Sequence, residues 1–294
     1  VWDTRSATVI ASMPLQAPAL VGGSMSLSPD ARHLAVGWGF GVIVFSVDEL
    51  KGTHIFQRGQ SPTSLVWADD ERLVMGFAAG LIEVWRLGEQ TPTHQLSGEL
   101  QWRTSPVTAA PTRFFLANER IRHLAVDPEG RWLLATGGSD DARAHLFDLD
   151  SGALARSWET RGEWAGAGFD AEGRILVADD AGLSVYVHES DAPFHRIEAP
   201  GLNSISAHRD RPEVAIGADR SGIWSTATGL RVEQIEGGER LAFVGDQVLT
   251  TRNGELILLA PDSGLVVQEM RGGAQAAIGG GAVAWAATEA ADRV

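Results

Sequence analysis

The stretch HLAVDPEGRWLLATGGSDDARAHLFDLDSG, from His123 to Gly152, has the clearest strand pattern of the chain. The stretch contains three apolar runs separated by two turns that are rich in Gly and Asp. The first run is short, the second is longer, and the third has an aromatic residue near its end. Runs of this length, bounded by Gly, Asp, Asn or Pro, are typical of β-strands. Since no part of the chain combines a helical period with capping residues, the sequence predicts an all-β protein.

Related units recur along the chain at a spacing of about 40 residues, the period of a four-stranded propeller blade. Two clear copies precede this stretch and three weaker copies follow it, beginning at Ser26, Ser64, Ala165, Ile205 and Leu241. One blade cannot bury both faces of its sheet, whereas blades stacked around an axis can. The repeat therefore predicts a β-propeller.

The two ends of the chain complete this prediction. The units occupy residues 21 to about 271, and each end keeps two further β-rich runs. We expect residues 1–14 and 272–294 to form a composite closing blade, which removes an open sheet edge. The chain is thus predicted to be a single domain, residues 1–294, and a seven-bladed β-propeller. Residues 98–120 form an inserted loop between blades 2 and 3, predicted to be either functional or a surface strap.

The units resemble WD repeats. The dipeptide of that family is intact once, at Trp2-Asp3, and Phe147-Asp148 is close to it. In the family an Asp on the tight turn before the Trp helps to hold the sheet together, and Asp141 has the matching place before Phe147. The resemblance implies a seven-bladed propeller that scaffolds protein assemblies. The family's Gly-His pair is absent, and a propeller outside this family is the alternative.

Composition excludes several classes of function. The net charge of −14 argues against nucleic acid as the main partner, and the absence of Cys excludes a disulfide scaffold and a Cys nucleophile. No long apolar run or signal peptide is visible, so we expect no membrane partner and a cytoplasmic location. Basic residues other than Lys51 are Arg, and the chain starts at Val1, which together suggest a piece of a larger bacterial protein.

Motifs for catalysis are not found. The sequence contains no GxSxG elbow and no phosphate-binding glycine loop. The His residues lack the spacing of a metal site; they are His33, His54, His94, His123, His145, His188, His195 and His208. Asp140-Asp141, Asp179-Asp180 and Asp219 are turn formers or, as an alternative, ligands for a cation. We therefore predict no enzyme, no catalytic residues, no metal and no cofactor.

A binding surface is predicted where blade turns and inter-blade connections share one rim of the propeller. Trp and Arg are enriched at binding hot spots, and an Arg-rich rim suits a short acidic or extended peptide. The predicted partner-binding residues are Trp38, Phe40, Phe77, Trp102, Arg103, Arg143, Trp164, Arg220, Arg240 and Arg252. Arg161 lies in the same set of connections. Scattered surface Arg and Trp wedged between blades are the alternative.

The function that these features predict is non-catalytic binding of a protein or peptide. The chain is expected to be a scaffold, or a sensor or regulatory domain, whose partner is another protein or another domain of the same polypeptide. The alternative is a metal-dependent hydrolase or lactonase, which requires inward-pointing ligands from at least three blades around the central channel. A third hypothesis is a sensor that binds a small ligand at a channel mouth lined by aromatic side chains.

Overall fold

The fold is an array of four-stranded sheets without helices in the part of the chain that the computed structural model describes. That part comprises residues 2–3, 8–9, 24–39, 41–49, 51–57, 60–78, 80–89, 94–96, 121–137, 143–161, 166–236, 240–252, 255–261, 263, 265–270, 275–279 and 282–286.

The strands are short and follow the alternation of apolar runs and Gly/Asp turns in the sequence. Those of the first half of the chain are β1 (Trp2–Asp3), β2 (Thr8–Val9), β3 (Met25–Leu27), β4 (His33–Trp38), β5 (Gly41–Ser46), β6 (Lys51–Gln57), β7 (Pro62–Trp67), β8 (Arg72–Phe77), β9 (Ile82–Arg86), β10 (His94–Leu96), β11 (His123–Val126), β12 (Trp132–Thr136), β13 (Arg143–Asp148) and β14 (Leu154–Glu159). Those of the second half are β15 (Gly166–Phe169), β16 (Ile175–Asp179), β17 (Gly182–Tyr186), β18 (His195–Glu198), β19 (Ser204–Ala207), β20 (Glu213–Gly217), β21 (Gly222–Ser225), β22 (Arg231–Gln234), β23 (Leu241–Val244), β24 (Gln247–Arg252), β25 (Glu255–Ala260), β26 (Leu265–Met270), β27 (Gln275–Gly279) and β28 (Ala282–Ala286).

The described strands form seven four-stranded antiparallel sheets. Six of these sheets use four consecutive strands each, from β3–β6 to β23–β26. The other has the order β2-β1-β28-β27, in which Trp2 is opposite Val283 and Asp3 is opposite Ala282. The prediction of an all-β propeller fold is confirmed. The domain boundaries stay a prediction, and the proposed insertion 98–120 lies outside the described residues.

The first strands of neighbouring sheets lie side by side. Contacts link β27 to β3, β3 to β7, β7 to β11, and so on through β15 and β19 to β23. The ends of five of these strands, β3, β7, β11, β15 and β19, also surround one shared cavity. The first strands therefore line a central channel, and the last strand of each meander lies at the outside, as in a propeller blade.

Chain direction divides the turns between two faces of the molecule. In an antiparallel meander, the turns between strands one and two and between strands three and four lie at one end of the sheet. The turn between strands two and three and the connection to the next sheet lie at the other end. We call the second set the upper face, which includes Arg161 and Arg220. The first set is the lower face, which includes Asp127 and Asp170.

Apolar side chains from adjacent sheets pack against each other and form the core. One cluster joins Val42 and Phe56 of the β3–β6 sheet to Leu73 and Trp85 of the next sheet. Polar bonds also cross between sheets, because exposed backbone groups at the first strands need partners. Ser204 and Ser206 of β19 accept hydrogen bonds from the backbone N–H groups of Leu241 and Phe243, each at 2.9 Å. Similar clusters join the successive sheets from β3–β6 to β23–β26.

Candidate functional site

The candidate site is the upper face, where exposed arginines lie in the turns and in the connections between sheets. Arg122, Arg161, Arg220 and Arg240 are exposed there. None of the four has a carboxylate within ion-pair distance among the described residues. Because a guanidinium presents five fixed N–H donors that match a carboxylate or phosphate, these side chains retain donor capacity for an acidic partner.

The arginines of the lower face are mostly ion-paired. The pairs are Arg72–Asp69 at 2.6 Å, Arg86–Glu71 at 3.5 Å, Arg131–Asp148 at 3.4 Å, Arg174–Asp170 at 2.9 Å and Arg211–Glu213 at 3.3 Å. Arg32 and Arg209 are exceptions, since both are exposed and lack such a pair among the described residues.

Carboxylates outnumber cations on the lower face. The exposed ones that the structure describes are Asp30, Asp48, Glu49, Asp70, Glu71, Glu89, Glu129, Asp150, Glu172, Glu189, Asp191, Asp210 and Asp246. On the upper face, arginines are interspersed with Glu159, Asp180, Glu198, Asp219 and Glu236. Among the described residues, the excess of carboxylates over cations is therefore greater on the lower face, and this difference directs an approaching anion toward the upper one.

Two of the unpaired arginines lie at the channel mouth beside a histidine. Arg122 directly precedes β11, and Arg240 directly precedes β23. Burial of the His123 ring, together with the positive charges of Arg122 and Arg240, lowers the pKa of His123 from 6.5 to about 4. The imidazole is consequently neutral at physiological pH, and the positive charge at the mouth is carried by the two guanidinium groups.

The shifted pKa of His123 makes the fold sensitive to acid. We expect the free energy of unfolding to fall as the pH is lowered from 6.5 to about 4. In this range the unfolded chain binds a proton that the folded chain excludes. The loss for this group is at most about 3 kcal/mol, at roughly 1.36 kcal/mol per unit of pKa. Urea unfolding of the wild type and of His123→Gln at a series of pH values measures this loss of stability.

The His123→Gln protein is expected to lose less stability than the wild type across this pH range. Carboxylates act in a different range, because the backbone N–H of Ser151 lowers the pKa of Asp148 below its ordinary value of 3.8. Its contribution is present above pH 3.8 and is lost only on further acidification. Parallel pH profiles for the two proteins between about pH 6.5 and pH 4 would contradict the expectation.

A shallow cleft lies next to the arginines, between the β15–β18 and β19–β22 sheets. Glu198, Ala199, Pro200, Asp219, Arg220, Trp224 and Arg231 line it. The backbone N–H of Asp219 donates to the carbonyl of Pro200 at 3.1 Å, which holds the Arg220 turn against the connection. Gly201 has φ +70, a left-handed backbone conformation that favours glycine at this turn.

The structure corrects one predicted binding residue. Phe77 was placed on an exposed aromatic rim, yet its side chain is 0% exposed. The residue ends β8, and its carbonyl accepts a hydrogen bond from the N–H of Ile121 at 3.1 Å. The segment at Ile121 thereby covers the turn, and the ring packs in the cluster of Phe56 and Trp85. Phe77 belongs to the core and not to a binding surface.

The other predicted binding residues differ in exposure and in whether the structure describes them. Arg143, Arg220 and Arg240 are exposed on the upper face, and Arg143 lies 3.8 Å from Glu159 in a weak ion pair. Trp38 is partly buried at the end of β4. For Arg252 only the backbone at the end of β24 is described. Phe40, Trp102, Arg103 and Trp164, as well as Asp141, lie outside the described residues.

Sequence reasoning missed Arg122 and His123. The repeat unit was recognised from His123 onward, but neither His123 nor Arg122, which directly precedes it, was assigned to the binding surface. The signal that could have found them is register, because Arg240 holds the place directly before an inner strand in its own sheet and Arg122 holds the same place in another.

Within the described ranges, no group of three or more His, Cys, Asp or Glu side chains is arranged to hold a metal ion. The part of the chain that the structure describes also contains no helix long and apolar enough to cross a membrane.

Comparison with known proteins supports the fold and gives a limited sequence relationship. No family model matches the chain. A segment of 65 residues, 22% of this chain, is 38% identical to the ribosome biogenesis protein ERB1 of Mycosarcoma maydis. The matched segment amounts to 7% of that protein. A chain in the crystal structure of the mitotic checkpoint complex superposes with a TM-score of 0.72, at 14% identity, over 95% of this chain and 90% of that one.

Proposed function

We propose that the protein is a non-catalytic binding module that holds an acidic, extended segment of a protein on its upper face. The observation that carries this proposal is the contrast between faces: Arg122, Arg161, Arg220 and Arg240 lack ion pairs, whereas most lower-face arginines have them. Arg–carboxylate contacts are charge-assisted and often bidentate, so unpaired arginines favour an acidic ligand.

The mechanism of the proposed module is recognition by a pre-formed surface. The arginines lie next to strand ends of packed sheets, so little backbone freedom is lost when a ligand binds, and the ordering cost falls mainly on the arginine side chains. An acidic segment approaching the acidic lower face is repelled, and this repulsion favours encounter with the upper face. The cleft beside Arg220 and Trp224 offers a place where one side chain of the segment packs against an aromatic ring.

The biological setting that we infer follows from the sequence. The module serves as a scaffold, or as the sensor or regulatory part of a larger bacterial protein in the cytoplasm. Its ligand is a partner protein or another domain of the same polypeptide. Support comes from the propeller fold shared with a chain of the mitotic checkpoint complex, the absence of Cys and the WD-like repeat units.

A paired comparison of charge variants tests the proposal. Fluorescence anisotropy measures the binding of a labelled glutamate-rich peptide to the wild type, to Arg161→Gln/Arg220→Gln and to Arg32→Gln/Arg209→Gln. The two double variants change the net charge equally, but on opposite faces. We expect the upper-face variant to bind at least about tenfold more weakly. The lower-face control should change affinity by about twofold or less at physiological salt.

Two outcomes would contradict the proposal. Equal losses in both double variants would mean that the peptide responds to overall charge and not to a site. Tighter binding of a lysine-rich peptide than of the glutamate-rich one would make the acidic lower face the binding surface. Thermal melts of both variants check the fold, since replacing exposed and unpaired arginines typically changes stability by about 0.5 kcal/mol or less.

A further inference from the structure

A cavity of about 480 Å³ lies at the lower end of the channel, and its volume is in the range of ligand pockets in proteins. Five inner strands end at this lower cavity, namely β3, β7, β11, β15 and β19. Most of the residues that line it are apolar, and they include Trp67 and Phe169. A wall of this composition favours an apolar group of a ligand.

The five turns that follow these strands are related in sequence. They read SPDAR from Ser28, ADDER from Ala68, DPEGR from Asp127, DAEGR from Asp170 and HRDRP from His208. In every turn the first or the second residue lines the lower cavity. The third residue is in each case an exposed carboxylate, and we call this set the acidic rim: Asp30, Asp70, Glu129, Glu172 and Asp210. The acidic rim therefore lies around the opening of an apolar cavity.

Hydrogen bonds between turns of neighbouring sheets hold part of the acidic rim in place. The backbone N–H of Asp30 donates to the Asp70 carboxylate at 3.0 Å. The guanidinium of Arg72, in the same turn as Asp70, donates to the carbonyl of Gly130 at 2.8 Å. Three successive turns are joined in this way, so this part of the rim is pre-formed and its backbone loses little freedom when a ligand binds.

The acidic rim carries an excess of negative charge. Glu172 is paired with Arg174, whereas the other four carboxylates of the rim have no ion-pair partner among the described residues. They outnumber the two exposed, unpaired arginines of the same turns, Arg32 and Arg209, of which Arg209 lines the cavity. Since no three His or acidic side chains in the described ranges are arranged to hold a metal ion, the rim suits separate cations carried by one ligand.

We propose that the lower cavity and the acidic rim bind a basic, extended segment of a partner protein, which places one apolar side chain in the cavity. Lysines or arginines on either side of that residue contact the carboxylates of the rim. The rim extends over five sheets, so a small cation can contact only part of it, whereas a segment with several cations reaches more of it. Charge complementarity therefore favours a peptide segment as the occupant.

This inference is independent of the proposed function. It concerns the opposite face of the molecule and a ligand of opposite charge. Because the two faces lie at opposite ends of the sheets, a protein that has both sites can hold an acidic and a basic partner at the same time.

Charge variants of the rim test the electrostatic part of the inference. Fluorescence anisotropy at low ionic strength measures binding of a labelled peptide in which one leucine lies between two pairs of lysines. We expect Glu129→Gln/Asp210→Asn to weaken binding by about fivefold or more. The matched control Asp48→Asn/Glu49→Gln removes an equal charge from an exposed outer turn of the same face, and it should leave affinity within about twofold.

A change in the peptide tests whether an apolar side chain enters the cavity. Replacing the leucine of the peptide by serine should weaken binding by about tenfold, since a buried leucine contributes mainly through the hydrophobic effect. NMR reports the position of the bound side chain. The Trp67 indole N–H, which donates to the Ser26 carbonyl at 3.0 Å in the cavity wall, should shift with the leucine peptide and not with the serine peptide. Trp67→Phe identifies its signal.

Three results would overturn this inference. Equal affinity for the leucine and serine peptides would mean that no side chain enters the cavity. Equal losses in the rim variant and its control would mean that the peptide responds to overall charge. Leucinamide that binds as tightly as the whole peptide would make the cavity a site for a small organic cation. The proposed function can fail separately, because Arg161→Gln/Arg220→Gln should weaken binding of the glutamate-rich peptide and leave that of the lysine-containing peptide within about twofold.

Discussion

Replacement of Asp170 by alanine is expected to lower the free energy of unfolding by about 3 to 5 kcal/mol, the usual cost of removing one partner from a buried ion pair. The Asp170 side chain is fully buried in the turn between β15 and β16. Its carboxylate accepts hydrogen bonds from Arg174 at 2.9 Å and from the Thr226 hydroxyl of the next sheet at 2.5 Å. Without it, the buried Thr226 hydroxyl loses its acceptor and Arg174 loses its buried partner.

The chain supplies a matched control for this prediction. Asp127 holds the same position in DPEGR that Asp170 holds in DAEGR. Its carboxylate accepts from the backbone N–H groups of Arg131 and Trp132, at 2.7 and 2.6 Å, within its own turn. Asp127→Ala should therefore cost only about 1 to 2 kcal/mol. Urea unfolding of the two variants gives the difference, and equal losses would show that the contact between sheets adds no stability.

A double-mutant cycle isolates the bond that crosses between the sheets. Thr226→Val alone should be destabilising, because it leaves the Asp170 carboxylate with one donor fewer. In the Asp170→Ala background the same change should cost less, and the coupling energy should be about 1 to 3 kcal/mol. Additive losses would mean that Asp170 stabilises its own turn and not the contact with the neighbouring sheet.

These two turns show which structural features the sequence predicts and which it does not. The repeat of apolar runs and Asp/Gly turns was sufficient to predict the propeller fold, because strand period and turn chemistry are local properties. DPEGR and DAEGR are nearly identical as sequence. Whether the carboxylate reaches the next sheet depends on the residue opposite it, Thr226 in one case, and this partner lies 56 residues away. A local sequence pattern cannot identify a partner that lies so far away along the chain.

The candidate site was predictable in part for the same reason. The topology of an antiparallel meander places the connections between sheets and the turns between second and third strands on one face. Arg220 and Arg240 lie in such positions, and their role in binding stays a prediction. Which arginines would be paired was not predictable, because pairing depends on distances between sheets. Arg143 lies near Glu159 across an adjacent strand, whereas Arg122 and Arg240 belong to separate sheets and both lower the pKa of His123.

Substitution of Phe77 by alanine is expected to destabilise the protein by about 3 to 5 kcal/mol, as is typical for a fully buried aromatic ring. A residue on an exposed rim would lose binding instead, with a change in stability within about 0.5 kcal/mol. The ring is 0% exposed and packs with Met75 and Trp85. Its removal leaves a cavity next to the turn that the Ile121 segment covers, where the surrounding strands cannot collapse freely.

The exposed apolar residue Ile55 provides the control for Phe77. It lies on the outer strand β6 with 60% of its surface exposed, so Ile55→Ala should change the free energy of unfolding by about 0.5 kcal/mol or less. Urea unfolding and peptide anisotropy on both variants separate the two roles of an aromatic residue. If Phe77→Ala melted like the wild type but no longer bound the glutamate-rich peptide, the ring would have to be part of the binding surface. We expect the reverse, because an enclosed ring contributes to packing and cannot reach a ligand on the face above it.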